Sequence, residues 1–385
     1  MKFWTSLSLI GLVLGSYLIK AQTAAKTSYT VDQQINDFML QWHITGGEVA
    51  ITKDGKTVYN KAFGYSDQAK KTPAKNDNLY RIASVSKPIT SMGIMKLVEQ
   101  EKLSLDEKVF GNILDQDYYT DAISDPRIYD ITVKELLEHT AGWDRNVPVD
   151  GYDHSDPAFF PLHVTEELNE PNPVGDSTLV KFLLKKGLNN EPGTHYAYSN
   201  IGYLVLGKVI EKKSGMKYGE YIQKNILQPA GITNVELGKN LVKEKNEVEY
   251  CGNSTTSSCY GDGKRVPWQY GGFNVEAMNA HGGWIATAEA LTTLMNAHVL
   301  SNATDAVMTQ PGKVNPGYAK GWNVNSAGNR WHTGSMDGTA SFICKTKDGY
   351  TWAFLFNSRA DNSDAFWKAF DRLPWRCIEE MKIIS

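Results

Sequence analysis

In the stretch RIASVSKPIT, residues 81 to 90, Ser84 and Lys87 stand three apart. On a helix that spacing projects both side chains from one face, one turn apart. At a helix N-terminus, unpaired N–H groups and the positive end of the dipole favour negative charge developing nearby. Pro88 fits the same placement, because a missing N–H is tolerated in the first turn. The segment therefore reads as a nucleophile and a base on the first turn of a helix. Alone, SxxK is a short pattern, and its plain reading is a solvated serine and lysine.

Two further stretches change that weighing. HYAYSNIGYLVLG places Tyr198-Ser199-Asn200 just before a helical pattern, and RWHTGSMDGTASF places His332-Thr333-Gly334-Ser335 at the entry to a strand. An SxxK, a second polar triplet and a third [KH]TG triplet, in that order, form the signature of serine acyl-transfer enzymes of the penicillin-binding type. The chain resembles the serine β-lactamase and penicillin-binding protein superfamily, in its branch of class C β-lactamases, D-alanyl-D-alanine carboxypeptidases and esterases (peptidase S12-like). The flanking segments ITVKELLEHTAGW, EPGTHYAYSNIGYLVLGKVIE and HGGWIATAEAL also resemble that branch, and the likeness runs over roughly residues 30 to 380.

The resemblance implies roles, residue by residue. Ser84 is expected as the nucleophile and Lys87 as the group that takes its proton, which requires a lysine pKa lowered by burial or a nearby cation. Tyr198 is expected to relay that proton to the leaving group, and Asn200 to orient Lys87 and the substrate. The backbone N–H groups of Ser84 and Ser335 would form an oxyanion hole, each donor worth roughly 3 to 4 kcal/mol. His332 stands where many relatives keep lysine, and Thr333 and Gly334 complete that triplet beside the substrate. A histidine there is expected to be only partly charged near neutral pH. That favours peptide, amide or ester hydrolysis over vigorous β-lactam hydrolysis. The implied activity is an exported serine hydrolase working through an acyl-enzyme on a small-molecule or peptide substrate. A catalytically idle binder of peptidoglycan peptides or β-lactams is the competing reading, and the retention of all the motif residues argues against it.

Other candidates carry less. His139 in EHTAGW reads as structural, and Asp153, His154 and Asp156 in DHSD read as a solvated loop rather than a cation site. HExxH, GxSxG and paired metal-ligand histidines are absent from the sequence, so no metal and no cofactor is expected. Trp143, Trp284 and Trp331 read as core aromatics. Asn253 and Asn302 begin N-x-[ST] sequons, which matter only in a eukaryotic secretory pathway. Of the four cysteines, Cys251 and Cys259 bound the polar segment CGNSTTSSC, which a bridge between them would clip, while Cys344 and Cys377 read equally well as buried thiols.

The elements that must position these residues follow from length and pattern. A chain of 385 residues has ample length to bury a core, and 40 basic against 43 acidic residues leave no global field toward nucleic acid. MKFWTSLSLIGLVLGSYLIKAQ, with Lys2, an apolar run and Ala21, reads as a signal peptide over residues 1–21. A secreted or periplasmic protein without stable membrane association is therefore expected. Residues 22–385 would form one domain of the α+β class. TVDQQINDFMLQWHI has helical spacing, and the stretch after it reads as a hairpin about Asp54-Gly55. The middle is dominated by helical patterns, with KLSLDEKV leading into another helix and a loop from Asn146 to Asp176. The end returns to strands and closes on an amphipathic helix. The expected architecture is one antiparallel sheet built from both termini, approximately 26–80 and 271–385, flanked by helices, with a mainly helical part inserted at approximately 81–270.

Overall fold

The computed structural model describes residues 29–114, 117–359 and 363–384; the signal-peptide expectation for 1–21 falls outside them. A six-stranded antiparallel sheet runs β2-β1-β11-β10-β9-β8. Its strands are β1 (Gly46–Lys53), β2 (Lys56–Gly64), β8 (Asn323–Val324), β9 (Arg330–Met336), β10 (Thr339–Lys345) and β11 (Tyr350–Phe356). Three short strands, β3 (Tyr80–Arg81), β7 (Trp284–Ala286) and β4 (Val235–Leu237), pair in that order beside it, and β5 (Thr255–Ser257) pairs with β6 (Arg265–Pro267). The central pairing of β1 with β11 joins the two ends of the chain, with Val49 opposite Phe354 and Ile51 opposite Trp352.

Alternation along the strands divides the core in two. Val49, Ile51, Phe342, Trp352, Phe354 and Phe356 face the terminal helices Val31–Gln41 and Asp364–Ile384 and meet Ile35, Phe38, Phe366 and Phe370. Ala50, Ile343, Ala353 and Leu355 face the other way, into the helical body. The result is three layers, terminal helices, sheet and helical body, an α+β arrangement. Thr30 and Gln33 close a capping box on the first helix, so the chain enters it with its first N–H groups satisfied. The hairpin turns at Asp54 and Gly55, both with positive φ, as a two-residue turn matched to strand twist requires.

Two sequence expectations differ. KLSLDEKV does not lead into a helix: Val109 N–H bonds Ile131 O and Lys134 N–H bonds Leu105 O, so this segment is tied sideways while Leu103, Val109 and Phe110 are buried. The loop from Asn146 to Asp176 contains a helix, Pro161–Leu168, with proline at its first position, where no N–H is needed.

Candidate active site

β3 ends against the sheet body. Ile82 N–H bonds Trp284 O at 3.0 Å, and Ser341 Oγ donates to Ile82 O at 2.7 Å. The chain is thus extended through Arg81, pinned at Ile82, and must then turn sharply. It does so through Ala83, whose φ of +46° is unusual for a residue with a side chain, and a 3₁₀ turn at Ala83–Val85. The α-helix starts one residue later, at Ser86–Glu99. Ser84 therefore sits on the tight turn that feeds the helix, and only Lys87 lies in the helix's first turn, a correction to the expected placement. Pro88 falls in that first turn, as expected.

The helix start is pinned from below. Ser86 Oγ accepts from Trp284 N–H, Thr90 Oγ1 donates to Ala280 O at 2.5 Å, and Trp284 Nε1 donates to Tyr218 OH at 2.9 Å. These bonds hold the Ala280–Trp284 segment against the helix. As a result His281 O reaches Lys87, whose Nζ donates to Asn200 Oδ1 at 2.7 Å and to His281 O at 3.0 Å and lies 3.1 Å from Ser84 Oγ. Lys87 is fully buried and pairs with no carboxylate among the described residues. Burial first, then the charge of Arg145, push its pKa well below the usual ammonium value, against a smaller opposing pull from Asp156.

Asn200 opens the helix Asn200–Ser214, whose N-cap, Ser199, accepts from Gly202 N–H. Its amide is oriented by its two partners: Nδ2 donates to Asp156 Oδ2 at 2.5 Å, so Oδ1 faces the lysine. Asp156 is itself buried and caps the Pro157–Phe159 turn. The DHSD segment thus supplies a site residue, where the sequence reading had it as solvated loop.

Tyr198 hydrogen-bonds Ser84, and its ring lies 4.8 Å from Lys87 Nζ and 4.7 Å from the Arg145 guanidinium. Burial raises its phenol pKa, so it stays protonated at neutral pH. His139 stacks beside it, ring centroids 4.3 Å apart, and accepts from Ser199 N–H through Nδ1 at 3.2 Å.

His332 is 3% exposed on β9. Its Nδ1 lies 2.7 Å from Thr333 O, which can only accept, so Nδ1 carries the proton. Nε2 then accepts from Tyr318 OH at 3.2 Å, and Tyr318 in turn accepts from His139 Nε2 at 3.2 Å. Both nitrogens are committed, and desolvation with the nearby Lys87 lowers the His332 pKa to about 3. The expectation of a partly charged histidine is overturned: His332 is neutral across the ordinary pH range.

Gly334 lies where β9 presses on the nucleophile turn. A Cβ there would stand 2.2 Å from both Ile82 O and Ser341 Oγ, so only glycine fits. Ser335 follows it, with its Oγ accepting from Arg359 Nη1 at 2.5 Å. Ser84, Tyr198, Asn200, His332, Thr333 and Ser335 all line one open cleft of about 710 Å³, together with Arg145, Asp156 and Tyr318. The sequence reading missed Arg145, Tyr318 and the His281 carbonyl. Arg145, two residues past HTAGW, and His281, which opens HGGW, carried a local signal, whereas Tyr318 carried none.

Cys251 and Cys259 are not bridged; all four cysteines are buried free thiols. Cys251 is tied through its N–H to Asn357 O at the end of β11, whereas Cys259 turns to Gly271 O and Asn240. β5 runs extended between them, which carries the two sulfurs to different neighbours. Trp143 and Trp284 are core residues, Trp331 packs on the terminal-helix side, and none lines the cleft. No helix among the described residues is long and apolar enough to cross a membrane.

Comparisons with known proteins support the fold and the family. The chain is 30% identical over 192 residues to Penicillin-binding protein 4* of Bacillus subtilis, covering 49% of this chain and 37% of that protein. It is 28% identical over 221 residues to Protein flp of Staphylococcus aureus (strain MRSA252), covering 57% and 40%. The match thus spans less than half the length of either relative. Among solved structures, the octameric penicillin-binding protein homologue from Pyrococcus abyssi has a TM-score of 0.67 at 26% identity, over 90% of this chain and 76% of that one. D-amino acid amidase from Ochrobactrum anthropi SV3 has a TM-score of 0.70 at 20% identity, over 92% and 100%, a likeness of fold alone. The Beta-lactamase family profile matches residues 31–373, and the chain belongs to that family.

Proposed function

We propose that the protein is a serine hydrolase that cleaves an amide, peptide or ester through an acyl-enzyme. The observation that carries this reading is the contact between a buried Lys87 Nζ, with no carboxylate partner among the described residues, and Ser84 Oγ at 3.1 Å. A buried amine with no counter-ion among the described residues is available as the free base. It takes the Ser84 proton as Oγ attacks the scissile carbonyl. Tyr198, protonated and bonded to Ser84, passes a proton to the leaving group and later helps to activate water. The backbone N–H groups of Ser84 and Ser335 are assigned to the oxyanion, and the fit of Gly334 against Ile82 holds β9 close enough for that. Asn200, fixed by Asp156, keeps Lys87 in line and offers its edge to the substrate.

The neutral state of His332 favours amide or ester substrates, since no residue of β9 itself brings a cation into the cleft lining to receive a β-lactam carboxylate and Arg359 beside it is engaged by Ser335 Oγ and Asp337. The likeness to a D-amino acid amidase and to penicillin-binding proteins fits the same substrate range. Export is part of the reading, on the pattern of residues 1–21; N-terminal sequencing of protein recovered outside the cytoplasm would test it. A side-by-side assay of p-nitrophenyl esters, D-amino acid amides, D-Ala-D-Ala peptides and nitrocefin tests the substrate class. Turnover of the esters or amides above nitrocefin is expected. Stoichiometric binding of penicillin or peptide with no turnover of any of the four would instead mark an idle binding protein.

A further inference from the structure

We infer that Arg145 forms a subsite for a carboxylate on the substrate, so that the cleft selects anionic amides or esters over neutral ones. The inference rests on the hydrolase reading above. The cleft's charged lining residues are Arg145 and Arg359 against Asp156, Asp337 and Asp364. Arg359 is engaged by Asp337 at 3.7 Å and by Ser335 Oγ. Asp156 is buried and holds Asn200 Nδ2 and Ala158 N–H. Asp364 stands at the start of the last helix, exposed. Arg145 differs from Arg359: no carboxylate among the described residues pairs with its exposed guanidinium, which lies over the Tyr198 ring at 4.7 Å. A planar fork of donors with no acceptor, laid on the ring whose hydroxyl bonds Ser84, is suited to a carboxylate carried by the bound substrate.

The backbone beneath it is built rather than loose. Arg145 O accepts from Ser155 N–H at 2.9 Å, Asp144 N–H bonds Asn189 Oδ1, and Asp144 O accepts from Ser155 Oγ. At both Lys87 and Tyr198 the charge of Arg145 outweighs that of Asp156, so the local field is positive despite the acid nearby. With His332 neutral, the positive charge at this end of the cleft comes from the Trp143–Asn146 segment and not from β9.

The test compares two pairs of esters in wild type, Arg145→Gln and Arg145→Lys. One pair carries charge on the acyl side, p-nitrophenyl hydrogen glutarate against its methyl ester. The other carries it on the leaving group, 3-acetoxybenzoate against its methyl ester. In at least one pair, wild type is expected to favour the carboxylate by about tenfold or more in kcat/KM, equivalent to about 1.4 kcal/mol. Arg145→Gln should erase that ratio, Arg145→Lys should keep part of it, and added salt should weaken it. Ratios that stay within about twofold of wild type in Arg145→Gln, for both pairs, overturn the inference. Fluorophosphonate labelling of Ser84, run on the same samples, separates the two failures. Absent labelling of wild type sinks the hydrolase reading, whereas intact labelling with an unmoved ratio sinks only the subsite.

Discussion

Asn200 reaches Lys87 with its carbonyl oxygen at 2.7 Å because its amide nitrogen is taken by Asp156. The carboxylate thus does two things at once: it decides which way the amide faces, and its charge partly offsets Arg145 at the lysine. Asp156→Asn removes both. The kcat of the variant should fall by roughly tenfold or more, since the amide becomes free to flip. With the negative charge gone, the Lys87 pKa should drop further, and the acid limb of kcat/KM should move to lower pH. A limb that moves to higher pH would contradict this role.

The tautomers around Tyr318 form a second expectation. His139 should carry its proton on Nε2 and His332 on Nδ1, and neither should titrate between about pH 5 and 8, since burial lowers both pKa values. Long-range ¹H–¹⁵N correlation spectra of the imidazoles report this directly. Tyr318→Phe should cost about 1 to 3 kcal/mol by leaving buried ring nitrogens without a partner. A His332 resonance that titrates near pH 6 would restore the partly charged residue expected from sequence.

How much of the site was legible depended on whether its signal was local. Ser84, Lys87, Tyr198 and Asn200 announce themselves through short patterns, and the structure lines one cleft with Ser84, Tyr198 and Asn200 and sets the buried Lys87 against two of them. Asp156 and Arg145 lie on a loop whose approach to the site is decided by contacts such as Asp144 with Asn189 and Ser155 with Arg145, which the neighbouring patterns DHSD and HTAGW do not themselves specify. The charge of His332 was misjudged for the same reason: it depends on burial and on Tyr318, not on the residue type. The α+β layering was legible because short alternating or apolar strand patterns with Gly and Asn turns stand at the two ends and helical spacing fills the middle. The segment after Lys102 failed as a helix because bonds joining Leu105 and Val109 to Lys134 and Ile131, further along the chain, displaced its local preference.

Glu48 offers a test of the sheet's interior. It is fully buried on β1, accepts from Ala288 N–H, and leaves its other carboxyl oxygen without a partner. Desolvation raises its pKa from 4.5 to about 8, so the folded protein holds this proton more tightly than the unfolded chain does. The resulting stability is complete below about pH 4.5 and is lost as the pH rises through 8, at up to about 1.4 kcal/mol per pH unit. Glu48→Gln should flatten that loss, so that wild type falls relative to the variant between pH 5 and 8.5 in thermal melts. Parallel curves would show that the carboxyl is ionised in the folded state.

The cysteines give a simpler count. Thiol titration in denaturant without reductant should find four, and a reductant should leave the melting temperature unchanged, because no bridge constrains the segment between Cys251 and Cys259. Two titratable thiols, with that segment closed in a non-reduced digest, would reverse the finding.

The central claim is that a neutral Lys87 activates Ser84 for covalent acyl transfer, and rapid-quench intact mass spectrometry with a p-nitrophenyl ester measures it most directly. Wild type should accumulate a single acyl adduct, mapped to the Ser84 peptide, within the burst of p-nitrophenol release. Ser84→Ala should form none while keeping its fold, and Lys87→Met should form it slower by orders of magnitude, on the scale of about 10³ or more. An ester turned over with no adduct on Ser84, or a Ser84→Ala protein that keeps about a tenth of the wild-type rate, would contradict the account.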